Sequence, residues 1–487
     1  MISVISVNSV VKNKAILLAL VLFAAYNANG REIPSFDSQP TKFAARELLL
    51  RGTLSLNHVV GLQPAYGERA AFVTARDGRI RSAYSPLPSV IAAAIAWPLW
   101  KTGCLDVRAP LAPNVIAALT ASLLAALAVT FAYLTARRFA SDRAALTCAL
   151  LFGLGTGLWS TVSQTLWQHE TAAIGLAVAM WLLFGWTEGG AKEQPLSLGR
   201  FVLAGLMLGI AGAARPQVAP LIAVLTAAAF ATSGRSRGLL VALPVIACAA
   251  AVAWLNIRWF GGALGPMPFL ESQHASVHYT NRSFGSPFAG LAGLLVSPSR
   301  GLLIFSPIVL LVIPVVIGLR SCVLRLPSST IHHPPSSLGA SLGPQALFRH
   351  PPSVIHHPFP WLAIAAVAQL ILYSTYSVWW GGHTYGPRYL CDILLVVLPL
   401  AAAGYDRVVR SRVGATLVAV FAAWSVLLAA TGAFCYPAEA WNTDPVDVDR
   451  AHERLWDWSD PQFVRCWHQG LSPQNFQLFT RGAWRIE

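Results

Sequence analysis

The sequence predicts an all-α polytopic membrane protein with about 11–13 transmembrane helices and large extracytoplasmic loops. Three observations carry that expectation. Mean hydropathy is +0.55. Only 11% of the 487 residues are charged, against about 25% in an ordinary soluble domain. Apolar runs near the bilayer-crossing length recur along the chain. In lipid every backbone group must pair within its own segment or a closed barrel. Runs such as VIAALTASLLAALAVTFAYL lack the two-residue alternation of barrel strands, so the spans are helices.

Apolar spans are expected near 15–29, 84–100, 111–134, 144–162, 169–187, 200–214, 216–232, 237–257, 301–320, 360–380, 388–405 and 413–434. The first follows Lys12 and Lys14 in the manner of a signal peptide. With so many spans behind it, it reads as a retained helix. Basic residues mark cytoplasmic loops: Lys12 and Lys14, then Arg235 and Arg237, Arg320 and Arg325, and Arg407, Arg410 and Arg412. The membrane domain is 1–434. Outside lie the first loop (30–83), a large loop (258–300), the GGHTYGP turn and a short tail (435–487). An even number of full crossings from a cytoplasmic N-terminus would leave the tail inside. Either 84–100, with its prolines, is re-entrant, or an extra crossing lies between 109 and 165.

The net charge of +14 sits in short loops, which points to membrane orientation and anionic lipid and not to nucleic acid. Residues 321–359 repeat His-His-Pro among Ser, Pro and Gly, the composition of a disordered cytoplasmic linker. The seven cysteines show no metal-ligand spacing. Cys435 and Cys466 in the tail could pair or stay as free thiols.

Polar residues interrupt this apolar chain at few places. Asp37 precedes QPTKFAARELLLRG, an amphipathic stretch suited to the membrane interface. Its carboxylate could serve as a general base, hold a divalent cation or simply cap that helix. Arg79, Arg81 and Tyr84 stand directly before an apolar segment, as snorkelling residues or a phosphate site. His169 and Glu170 open the helix after LWQ. An interfacial aromatic belt explains the tryptophans there but not a His-Glu pair. Arg215 lies between two short apolar runs. In a span an arginine costs about 2.5–3.5 kcal/mol on insertion scales and needs a partner; between separate helices it does not. Arg300 stands at the lip of the span after SPSRG. WWGGHTYGPRYL offers His383, Tyr385 and Arg388 among glycines. Its bendable backbone and planar cation suit a lipid-linked phosphate, and a tight outer turn with a snorkelling arginine is the plainer reading.

The order FDSQPTKFAARELLLRGTLSL, AYSPLPSVIAAAIAWPLW, LWQHETA, LVSPSRGLLIFSP, WWGGHTYGPRYLCDILL resembles the GT-C superfamily of integral-membrane glycosyltransferases. It is most similar to bacterial members related to protein mannosyltransferases and aminoarabinose transferases. The resemblance covers roughly residues 10–435. It implies a bacterial cytoplasmic-membrane enzyme that takes a sugar from a polyprenyl-phosphate donor at the outer face, with inversion at the anomeric carbon. The acceptor is a glycan, lipid or protein. Asp37 matches the acidic residue of the first loop, a general base with or without a divalent metal. Glu170, with His169, matches a second polar position at an outer helix end. Arg388, Arg215 and Arg300 would hold the leaving phosphate, with His383, Tyr385 and Tyr84 as further ligands. One departure is that the mannosyltransferase lineage often pairs two acids where this chain has Asp37 followed by Ser38.

Two rival readings are a transporter or flippase for lipid-linked sugars and a non-catalytic envelope assembly protein. The first predicts internal repeats and midplane broken helices, and the sequence shows no repeat. The second predicts that Asp37, Glu170 and Arg388 lie too far apart to share one site.

Overall fold

The structure, a computed structural model, describes residues 2–62, 71–184, 197–280, 283–324, 357–435 and 438–479. It is helical, as the sequence predicts. The helices are α1 (Ile2–Tyr26), α2 (Gln39–Arg51), α3 (Leu87–Lys101), α4 (Ala112–Ala136), α5 (Asp142–Leu154), α6 (His169–Leu183), α7 (Leu198–Ala214), α8 (Ala219–Ser233), α9 (Arg235–Phe260), α10 (Met267–His278), α11 (Pro287–Val296), α12 (Leu302–Phe305), α13 (Ile313–Leu324), α14 (Pro358–Ser374), α15 (Cys391–Val408), α16 (Arg412–Phe434), α17 (Ala438–Thr443) and α18 (Gln462–Gln469). A two-stranded antiparallel hairpin, β1 (Phe72–Thr74) with β2 (Ile80–Ser82), pairs Val73 with Arg81.

Five helical segments are long and apolar enough to cross a membrane among the described residues: Ala112–Ala136, Pro216–Ser233, Arg235–Phe260, Arg388–Val408 and Arg412–Phe434. Shorter apolar helices surround them, including α3, α6, α7, α11 and α14. α4, and α15 apart from Asp392 and its last turn, are apolar on every side and buried in the bundle, the pattern of a central helix. α9 runs along the outside and turns Leu243, Ile246 and Trp254 outward, each about 60% exposed. Helices approach closely where one partner is glycine. A Cβ on Gly205 of α7 would lie 2.2 Å from the Val241 carbonyl of α9, and one on Gly175 of α6 would lie 2.6 Å from that of Met207. Small residues of this kind let helices pack by van der Waals contact in lipid.

α1 belongs to the bundle. Leu22 is fully buried, Tyr26 donates to the Gly153 carbonyl at 3.0 Å, and Lys14 pairs with Asp142 at 2.6 Å. α2 differs from the expected interface helix. It is buried in protein from Gln39 to Ala45, and Lys42 pairs with Glu32 at 2.6 Å while also donating to Asn114. Its charged face has found polar partners, so it needs no water. Within 258–300, read from sequence as an irregular loop, two helices form, α10 and α11. The expected linker, 321–359, lies almost wholly outside the described residues.

The segments read as outer meet on one side. Arg76 donates its backbone N–H to Trp259, Arg450 bonds Tyr279, and Arg31 bonds Ser472. The residues after α1 and the tail after α16 therefore share a face of the protein. α11 is a short apolar helix that the spans expected from sequence left out.

Candidate active site

A cavity of about 710 Å³ opens where these segments meet. Its walls carry Asp37, Tyr84, Trp167, His169, Arg215, His383 and Arg388, with α10 closing one side through residues from Met267 to His278. Six of the nine residues singled out by sequence thus line one space.

Asp37 sits in a single 3-10 turn, Phe36–Ser38, that leads into α2. It does not cap that helix. Its carboxylate accepts from the Arg388 guanidinium at 3.0 Å across 351 residues of sequence, and Tyr84 donates its hydroxyl to it as well. Arg388 opens the short turn before α15, where Gly381, Gly382 and Gly386 hold left-handed φ of +75°, +71° and +65°. That conformation favours glycine, and it swings the backbone so that His383 and Arg388 both reach the cavity. The guanidinium lies over the Trp167 ring at 4.3 Å, a cation–π contact. Its Nε–H has no partner among the described residues. A planar cation with a spare donor is what a phosphate oxygen requires.

Beneath this pair lies a second, buried network. His169 opens α6 and places Nδ1 2.9 Å from Asp392 Oδ1. Arg215 reaches Asp392 Oδ2 at 2.8 Å, and Tyr373 of α14 donates to the same oxygen. Arg215 fits both expectations made for it. Pro216 disfavours helix at the preceding residue, so α7 ends and Arg215 is extended, yet it is buried beside a partner. A carboxylate on Nδ1 fixes the imidazole's tautomer and orientation. His169 Nε2 has no partner among the described residues, and the residue lines the cavity.

The remaining expected residues lie elsewhere. Glu170 is fully buried in the first turn of α6, close to the backbone of Trp167, with no side-chain partner; it does not reach the cavity wall. Tyr385 donates to the Leu428 carbonyl at 2.8 Å and packs edge-on against Phe305, so its phenol is committed to the core. Arg300 is fully buried. It donates to the carbonyls of Ser299, Trp380 and Gly382 and to the side-chain oxygens of Gln462 and Asn442. Its donors face protein acceptors, and its effect on the site is to tie the 380–384 turn to the tail. Arg81 pairs with Asp77 inside the hairpin turn and stacks on Trp259. Cys435 and Cys466 are free thiols.

Asp392 was legible as an ionisable residue inside an apolar run, a functional signal by default. Asp447 and Asp449 gave only an Asp-Val-Asp spacing. In the structure His383 Nε2 lies 2.9 Å from Asp447 Oδ1 and 3.2 Å from Asp449 Oδ2. Burial alone would lower the His383 imidazole, but these two carboxylates outweigh it and raise its pKa above the ordinary value. A divalent metal at Asp37, allowed by the resemblance, does not fit the residues present. The carboxylate already faces a fixed positive charge, and no group of three metal-ligating side chains among the described residues includes it.

No protein-family model matches the chain, and no curated protein matches it. Among solved structures it is similar in shape to an oligosaccharyltransferase of Archaeoglobus fulgidus in complex with zinc and sulfate, at 14% identity and a TM-score of 0.49 over 95% of this chain. A second similar structure is the Archaeoglobus fulgidus oligosaccharyltransferase AglB with an inhibitory peptide and a dolichol-phosphate, at 13% identity and a TM-score of 0.45 over 96% of this chain. The chain spans 58% and 60% of the length of those two chains.

Proposed function

We propose that this protein is a GT-C-type glycosyltransferase that moves a sugar from a polyprenyl-phosphate donor to an acceptor hydroxyl at the outer face of the bacterial cytoplasmic membrane. The observation that carries the reading is the meeting of Asp37 and Arg388, 351 positions apart, at 3.0 Å on the wall of a cavity shared with His169 and Arg215. Of the three residues that would separate a scaffold from an enzyme, Asp37 and Arg388 converge and Glu170 stays off the cavity wall; the meeting of the first two in a pocket disfavours a mere scaffold.

In the mechanism, the donor's phosphate takes the Arg388 guanidinium. Its charge competes with Asp37 for those N–H groups, and the spare Nε–H adds a donor. Asp37, relieved of its partner, accepts the proton of the acceptor hydroxyl as that oxygen attacks the anomeric carbon. The lipid phosphate leaves with its negative charge held by Arg388. His169, aimed by Asp392, presents Nε2 to the bound substrates as a hydrogen-bonding group. One displacement inverts the anomeric centre.

A short-chain polyprenyl phosphate offered to the purified protein tests the first step. Binding should raise the unfolding temperature of the wild type and fail in Arg388→Gln. Equal binding by both proteins removes Arg388 from phosphate recognition. Glycolipids and glycoproteins of a deletion strain, compared by mass spectrometry with a strain carrying Asp37→Asn, test the transfer. The two strains should lack the same glycoconjugate.

A further inference from the structure

The tail residues Asp447 and Asp449 follow α17 in a tight turn, in which Arg450 N–H bonds the Asp447 carbonyl at 2.9 Å. The turn brings both carboxylates to His383 on the glycine-rich loop. His278, the last residue of α10, arrives from a third segment, and its Nδ1 lies 2.9 Å from Asp449 Oδ2. That approach uses the lack of a side chain at Gly382, where an added Cβ would stand 3.0 Å from the His278 ring.

We propose that His383, Asp447 and Asp449, with His278 as a fourth donor, form a binding site for a first-row divalent cation such as Zn²⁺ or Mn²⁺. The donor atoms of the first three residues cluster, with His383 Nε2 2.9 Å from Asp447 Oδ1 and 3.2 Å from Asp449 Oδ2, separations that ligands on one ion with bonds of about 2.0–2.2 Å can adopt. Two imidazoles and two carboxylates supply the nitrogen and oxygen set that such ions take, and the two negative charges balance the cation. A second observation concerns the burial of Asp449. Asp449 is 1% exposed and lines the cavity, and its Oδ2 has no aligned hydrogen-bond donor although two ring nitrogens stand within 3.2 Å of it. Oδ2 is therefore a buried anionic oxygen surrounded by nitrogen atoms, as a ligand to a common ion would be. The other oxygen, Oδ1, accepts from Trp380 Nε1 at 2.7 Å, the outer contact that orients a metal-bound carboxylate.

The site stands independently of the reaction proposed above. That a cation there would face an anionic oxygen of a substrate in the shared cavity does rest on that reading. The test uses the full chain in detergent, stripped with chelator and equilibrated with Zn²⁺ or Mn²⁺. Bound metal is counted by mass spectrometry and unfolding is followed by tryptophan fluorescence. The wild type should retain about one equivalent and unfold at a higher temperature with metal. His383→Gln and Asp447→Asn, at partly exposed residues, should each weaken binding about tenfold or more. Asp37→Asn and Arg388→Lys should bind as the wild type does, which separates failure of the metal site from failure of the transfer reading. A wild-type protein that holds no metal, or one whose metal is unaffected by His383→Gln and Asp447→Asn, overturns the proposal.

Discussion

The two Arg–Asp pairs of the cavity have nearly the same geometry and should respond very differently to loss of one charge. Arg388 and Asp37 meet at 3.0 Å with side chains 13% and 34% exposed. Arg215 and Asp392 meet at 2.8 Å with side chains 5% and 3% exposed. Water screens the first, so Asp37→Asn should cost stability only about 0–1 kcal/mol. The second has no such relief. Asp392→Asn leaves the Arg215 charge buried and uncompensated, a loss of about 3–5 kcal/mol. The double variant Asp392→Asn with Arg215→Met removes both charges and should recover most of that loss. Chemical unfolding of the detergent-solubilised variants, read by circular dichroism, supplies all four free energies. Activity should rank differently. Asp37→Asn, though nearly native in stability, should lose about 10²–10⁴ in transfer rate if Asp37 is the base. A stability loss for Asp392→Asn no larger than for Asp37→Asn would refute the burial argument. Full transfer by Asp37→Asn would refute its catalytic role.

Other substitutions separate binding from packing. Arg388→Lys keeps the charge but gives up the planar fork and the Trp167 stack, so kcat/KM for the lipid-phosphate donor should fall about 10²–10³-fold. Tyr385→Phe removes the hydroxyl's bond to the Leu428 carbonyl and its contact with Thr431; it should cost about 1 kcal/mol in unfolding experiments and leave transfer kinetics unchanged. Arg300→Met strips several buried acceptors of their donor and should destabilise by about 3 kcal/mol or more, visible as loss of folded protein in fluorescence-detected chromatography. Gly382→Ala should cost about 1–2 kcal/mol from its left-handed backbone, and because the new methyl meets His278 it should also lower metal retention.

The apolar spans were readable because hydrocarbon thickness sets their length and lipid forbids unpaired backbone. Asp37 and Arg388 could be named singly, since an acid at the start of an outer loop and an arginine in a glycine-rich turn each break an apolar background. Their pairing could not be read, because nothing local encodes a contact over 351 residues. α10 and α11 were missed for a local reason: the glycines and prolines flanking ESQHASVH and threading PFAGLAGLLV mask short helices that tertiary packing completes. Tyr385 and Arg300 misled because a buried phenol or guanidinium fully engaged with carbonyls has the same one-letter signature as one waiting for a ligand. Asp447 and Asp449 escaped notice because the two long helices α15 and α16 separate them in sequence from their partner, His383.

The bonds joining the first loop to the tail also bear on biosynthesis. Phe476 and Leu478 donate to the carbonyls of Asn29 and Gly30, and Arg31 holds Ser472 across 441 positions. Asp37 emerges early, yet Arg388 is translated 351 residues later, roughly 20–70 s at about 5–20 residues per second. Until then Asp37 lacks its Arg388 partner, and the later segments of the pocket wall are still being translated. A chain halted after α16 would carry every long apolar helix among the described residues and still leave the mouth of the pocket unlatched.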